Sequence, residues 1–193
     1  MKADLQQQTR KFGKWRIVAN HDYKVRALPV VQHEGDPELL GVIKSLSQSN
    51  EAKALEGLDH PNVVKLLDYD LEAGYMVTEL CKGGTLQTAN LAEWSLMDKI
   101  SCHTQLCSGF AYLWEQGLTK GDHNFKNVFL KEDNTPVIGD FESAQKIGKD
   151  AEGVEKILHS ASLMFWELMQ EKELSQVFVE EQQLQGEPVQ LYE

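Results

Sequence analysis

Leu118–Glu142, LTKGDHNFKNVFLKEDNTPVIGDFE, decides how this chain is read. Val128-Phe129-Leu130 and Val137-Ile138 are apolar runs on either side of the polar turn Lys131-Glu132-Asp133-Asn134-Thr135-Pro136, the pattern of two short strands around a tight connection. A hairpin brings its two ends together. Asp122, before the first strand, and Asp140, after the second, are then expected side by side, with Asn127 at the first strand's entrance. Two carboxylates and an amide make an oxygen-rich site suited to a hard cation such as Mg²⁺, which seldom has an all-protein cage and usually shares its ligands with phosphates. The plainer reading is that acidic and amide residues simply mark turns, and the stretch alone leaves both readings open.

Around it, 193 residues suit one domain or two small lobes, and a chain of that size buries roughly 70% of its unfolded surface without a covalent staple. A net charge of −11 and a pI near 5.0 argue against nucleic acid or an anionic membrane as the main partner, because both need clustered Lys and Arg. Cys81, Cys102 and Cys107 are odd in number and lack CxxC or His-containing metal spacing, which points to a reducing, cytosolic-type compartment. The N-terminus MKADLQQQTRKFGKWRIV has no apolar core of a cleavable secretory signal, and no run approaches the roughly 18 apolar residues of a membrane span. Such a polar start also fits export by a specialised secretion machine.

Upstream, Lys14–Ala19 and Tyr23–Val31 read as a hairpin turning at Asn20-His21-Asp22, followed by a Gly-Asp-Pro break at residues 35–37. Glu38–Leu46 is ambiguous between strand and helix and is read as strand, because Val42-Ile43 follows a turn. Ser47-Gln48-Ser49-Asn50 offers caps for a short helix Glu51–Leu58, stopped by Asp59-His60-Pro61-Asn62. Val63–Leu67 and Gly74–Leu80 read as strands, with a break at Lys82-Gly83-Gly84. Beyond it the pattern becomes helical. Leu96–Gln116 has one apolar face through Leu96, Ile100, His103, Leu106, Cys107, Phe110 and Leu113. Val154–Met169 is apolar nearly all round and is expected as a core helix, and Glu180–Glu193 reads as an acidic, Gln-rich tail.

In order and spacing these pieces resemble the protein kinase superfamily over roughly residues 12–170. Gly121-Asp122 followed by Asn127 is similar to that family's catalytic loop, and Asp140-Phe141 to its metal-binding Asp-Phe pair. Glu51 with His60-Pro61-Asn62 resembles the C-helix glutamate and the turn after it, and Tyr75–Leu86 resembles the hinge. The resemblance implies an α+β, two-lobed fold: a β-rich N-lobe with one C-helix over residues 1–80, and a reduced, mainly helical C-lobe over 81–193. It implies an ATP- and Mg²⁺-dependent protein kinase, with Mn²⁺ as a substitute metal, acting as a monomer on a protein hydroxyl of Ser or Thr in preference to Tyr. Asp122 would take the substrate proton, and Asn127 and Asp140 would hold the metal. Lys44 would pair with Glu51 and hold the α- and β-phosphates. Glu79 and Cys81 would meet the adenine through their backbone, Thr78 would guard the back of the pocket, and Lys126 would stand near the transferred phosphate. Lys24 or Arg26 is the alternative to Lys44, which precedes Glu51 by fewer residues than is usual in the family.

The departures narrow the reading. Val18-Ala19-Asn20-His21-Asp22 has no glycine where the family has a glycine-rich phosphate loop. Lys120 and Gly121 replace the catalytic-loop histidine and arginine, Glu142 replaces the glycine after Asp140-Phe141, and no Ala-Pro-Glu motif follows. A kinase stripped in this way is similar to the minimal effector kinases of the OspG and HopBF groups, which bacterial pathogens inject into host cells. That comparison implies a host protein as substrate, with heat-shock chaperones among the choices. Two other classes stay open: a pseudokinase that binds nucleotide or a partner without phosphoryl transfer, and a small-molecule phosphotransferase.

Overall fold

The break expected at residues 35–37 is the shorter turn Glu34-Gly35, and Asp36 and Pro37 already belong to the next strand. The computed structural model describes residues 11–18, 28–46, 50–120, 124–148 and 150–169. It begins with β1 (Lys11–Phe12) and β2 (Trp15–Ile17), then β3 (Val30–His33) and β4 (Asp36–Ser45). Glu38–Leu46 is therefore strand, as the Val-Ile pair suggests. The strand beside β4 is Val30–His33; Tyr23–Ala27 and the turn expected at Asn20–Asp22 lie outside the described residues. Pro37 is tolerated inside β4 because it falls within the register shift between the Gln32–Leu40 and His33–Asp36 pairs, where the β3–β4 ladder does not pair it.

After β4 come α1 (Glu51–Leu55), β5 (Leu66–Asp70) and β6 (Tyr75–Glu79). The sheet is antiparallel, in the order β1-β2-β3-β4-β6-β5. The period of two along a strand divides its faces. Val31, Ile43 and Val77 pack with Trp15 and Tyr75 on one side, while Val42, Lys44, Met76 and Thr78 share the other. Helix α1 stops three residues earlier than expected, because Leu58 N–H bonds back to Leu55 O and Gly57 takes φ 77°. Asn50 stands at its N-cap position without a side-chain cap bond, and Ser47–Ser49 lie outside the described residues. Val63 and Val64 are not strand residues: Val64 N–H donates to Ile138 O and Ile138 N–H to Asn62 O, which stitches this segment to the later hairpin.

That hairpin is β9 (Val128–Leu130) and β10 (Pro136–Ile138), with β7 (Gly84–Thr85), expected as a break, on the outer side of β9. Between them in sequence lie α2 (Leu96–Glu115), which opens with a reciprocal Ser95–Asp98 capping box, and β8 (Leu118–Thr119). β11 (Gln145–Lys146) pairs with β8, and α3 (Ala151–Met169) follows. The apolar faces of both helices are narrower than the sequence suggests. On α2 the buried stripe is Cys102, Leu106, Phe110 and Leu113, whereas Leu96 and Ile100, set aside from it around the helix, are exposed. Helix α3 is not buried all round: Met164 and Leu168 are covered, but among the described residues Leu158 and Trp166 are exposed. No helix among the described residues is long and apolar enough to cross a membrane.

Candidate active site

β4 and α1 set the first pair of the site. Lys44 projects from the β4 face that Val42 and Thr78 share, and Glu51 is the first residue of α1. Lys44 Nζ donates to Glu51 Oε1 at 2.9 Å, with the two side chains 16% and 3% exposed. The same carboxylate oxygen accepts Phe141 N–H at 3.1 Å. Glu51 therefore joins β4 to the segment that follows β10. A buried carboxylate needs such partners, because removing one leaves an uncompensated charge.

Asp140 sits between that anchor and a second one. Its φ of 63° is a left-handed conformation that costs a non-glycine residue of order 1–3 kcal/mol. On one side Gly139 N–H donates to Asn127 O at 2.9 Å; on the other Phe141, 1% exposed, is held by Glu51. Asn127 is itself 1% exposed and ends a short 3-10 turn, Phe125–Asn127. The backbone thus ties together the two residues expected to hold a metal. Among the described residues no three His, Cys, Asp or Glu side chains converge, so a cation here would take one carboxylate, one amide oxygen and outside ligands. That donor chemistry fits Mg²⁺ or Mn²⁺ shared with phosphate oxygens. Asp122, the expected base, lies outside the described residues.

Lys44, Glu51 and Asp140 line the polar end of a cleft. Leu28, Val42, Val64 and Phe129 supply apolar walls, and Thr78, Glu79, Cys81, Gly84 and Thr85 complete the lining. The Glu79 carboxylate is engaged with Lys65 N–H at 2.9 Å and Lys131 Nζ at 3.5 Å. Cys81 is buried, and desolvation followed by the Glu79 charge pushes its thiol up to about 12, so it is neutral rather than nucleophilic. Lys126 is exposed beside Asn127 and is not part of the cleft lining, and Lys120 is buried after β8.

Two contributors escape a reading of the sequence. The Glu51–Phe141 bond joins residues 90 positions apart, and no local pattern encodes it. Phe129 was legible in principle: in the run Val128-Phe129-Leu130 the outer two are buried, and the period of two turns the middle ring to the opposite face, where it lines the cleft.

The family described as protein tyrosine and serine/threonine kinase matches residues 41–178, which include Lys44, Glu51, Asn127 and Asp140. The chain is also similar to the ovarian-specific serine/threonine-protein kinase Lok of Drosophila melanogaster, 32% identical over 109 residues, which cover 53% of this chain and 23% of that protein. The match spans about a quarter of the relative's length.

Proposed function

The chain belongs to the protein tyrosine and serine/threonine kinase family, and from that premise we propose that it transfers the γ-phosphoryl group of ATP to a protein hydroxyl. The observation that carries this reading is the Lys44–Glu51 ion pair at the polar end of a cleft that Asp140 also lines. Glu51 holds the Lys44 ammonium in place, where it meets the α- and β-phosphates without first having to be ordered. Asn127 and Asp140 are the metal ligands, and a bound Mg²⁺ neutralises charge on the phosphates. The apolar walls take the base, with Thr78 at the back and the Glu79 and Cys81 backbone as its polar partners. Asp122 accepts the proton of the substrate hydroxyl, and Lys126 stands beside the transferred phosphate. The kinase lobes divide near residues 80 and 81.

Ser or Thr is the preferred acceptor, in keeping with the name of the fly relative. The reduced segment between Asp140 and α3, which has no Ala-Pro-Glu motif, supports a minimal kinase of the secreted effector type acting on a host protein, for which a heat-shock chaperone is a candidate. The test is incubation with labelled ATP and Mg²⁺ in a eukaryotic lysate beside Asp140→Ala. Transfer to lysate proteins that vanishes in the variant supports the reading. Metal-dependent nucleotide binding without transfer by the unmodified protein replaces it with a pseudokinase.

A further inference from the structure

Lys99, one turn into α2, is a cation that the elements described above bury without a counter-charge. It is 3% exposed, and among the described residues no carboxylate or carbonyl accepts from its Nζ. Its neighbour Asp98 is engaged elsewhere, accepting Ser95 N–H at 2.9 Å and Ser95 Oγ–H at 2.7 Å in the helix cap. An ammonium buried at the positive end of a helix dipole needs an anion beside it. The course of the two long helices says where that anion comes from. α2 ends at Glu115 just before β8, and α3 starts at Ala151 just after β11, the strand paired with β8. They meet again where His103 Nε2 lies 3.1 Å from Ala161 O and the His103 ring 4.7 Å from Phe165. The helices therefore run antiparallel. One turn back from His103 is Lys99, and one turn on from Phe165 is Met169, the last described residue.

Residues 170–193 thus leave α3 beside Lys99, and they carry six Glu and one Lys. Glu171 and Glu173 come first, within about 14 Å of Met169 even for extended chain. Leu174, Val177 and Phe178 follow at the spacing of one helix face. On α2, Leu96, Met97 and Ile100 are exposed apolar side chains within one turn of Lys99. We propose that residues 171–178 fold back over the start of α2 as a strap, with the Glu171 and Glu173 carboxylates on the Lys99 ammonium and Leu174, Val177 and Phe178 over Leu96, Met97 and Ile100. Charge and apolar surface then find their complements in one short segment, and the strap ties the end of α3 to α2 whatever the cleft binds.

Limited trypsin digestion of the full chain under native conditions reads the strap, because Lys172 lies within it. We expect Lys99→Met to speed cleavage after Lys172 at least about fivefold, Phe178→Ser to do the same, and the two together to add little. If Lys99 were simply an unpaired buried charge, methionine would fill the space of its stem, raise the urea midpoint and leave that cleavage rate unchanged; this result overturns the inference. A zero-length carbodiimide, which joins an amine to a carboxylate in contact, is expected to link Lys99 to Glu171 or Glu173 within one chain. The link found only in a covalent dimer overturns the strap in favour of a second copy. Cleavage of the unmodified chain as fast as that of Phe178→Ser, with no such link, overturns it in favour of a separate protein. Should Lys99→Met not fold, Phe178→Ser and the cross-link decide the matter on the same terms.

Discussion

Glu51 is a carboxylate with 2% of its surface exposed, and Trp166 is an indole with 63% exposed. The cleft and the outer face of α3 thus invert the usual preferences. In the cleft a charged side chain is buried because two donors from distant segments, Lys44 Nζ and Phe141 N–H, converge on it. On α3 Leu158 and Trp166 are exposed among the described residues because α2 reaches only one side, where His103 Nε2 lies 3.1 Å from Ala161 O and its ring meets Phe165 edge-on at 4.7 Å. What is buried follows from which elements arrive. Residue type decides only the cost.

The contrast can be broken or sharpened by substitution. The largest effect belongs to the cleft: Asp140→Ala should lower phosphoryl transfer by at least about 10³-fold, read by labelled-phosphate incorporation, with only a small shift in Tm. Lys44→Ala comes next, at roughly 10²–10³-fold in transfer. It should also lower stability by about 3 kcal/mol in urea unfolding, because it strands the Glu51 carboxylate in the interior. A loss of activity without any loss of stability would show that Glu51 is not held as described. On α3 the inner face should be purely structural. Met164→Ala is expected to cost about 2–4 kcal/mol with nucleotide affinity unchanged.

Smaller effects follow. Burial pushes the thiols of Cys81 and Cys102 up to about 12, so at pH 8 only ~10⁻⁴ of either is thiolate, and iodoacetamide should leave both unmodified in the native protein. Burial also lowers His60 below its ordinary 6.5, against an opposing pull from Glu115. Between that lowered value and 6.5 the unfolded chain binds more protons than the folded one, so stability should fall as pH drops through this window. His60→Gln should flatten the slope in urea titrations run from pH 7.5 to 5.5. Trp166→Ser, at the far end of the contrast, should change stability by less than about 0.5 kcal/mol, and a larger loss would mean that the outer face of α3 is covered in solution.

Much of the fold was legible because its signals are local. Val128–Leu130 and Val137-Ile138 around a polar turn gave the hairpin, the Val42-Ile43 pair after a turn gave a strand, and the apolar spacing over Leu96–Gln116 gave α2. The errors arose where burial depends on a distant neighbour. Leu96, Ile100 and Trp166 look like core residues by type, yet among the described residues they stay largely exposed. β8 and β11 are two-residue strands whose only reason to exist is each other, so neither carries a pattern of its own.

For the site, the sequence by itself determined the order and spacing of Lys44, Glu51, Asn127 and Asp140, since strand periodicity and turn residues fix where each falls along the chain. It also fixed the donor types, and with them the kind of metal and phosphate chemistry they suit. Only the tertiary structure decided that one Glu51 oxygen serves both Lys44 and Phe141, that Asp140 is held with φ 63° between two backbone anchors, and that the Phe129 ring lies against a glycine ten residues away. Those contacts exist because a buried polar group must find a partner and a packed ring must find a gap. Both are met by whatever the fold brings near, not by what stands next in the chain.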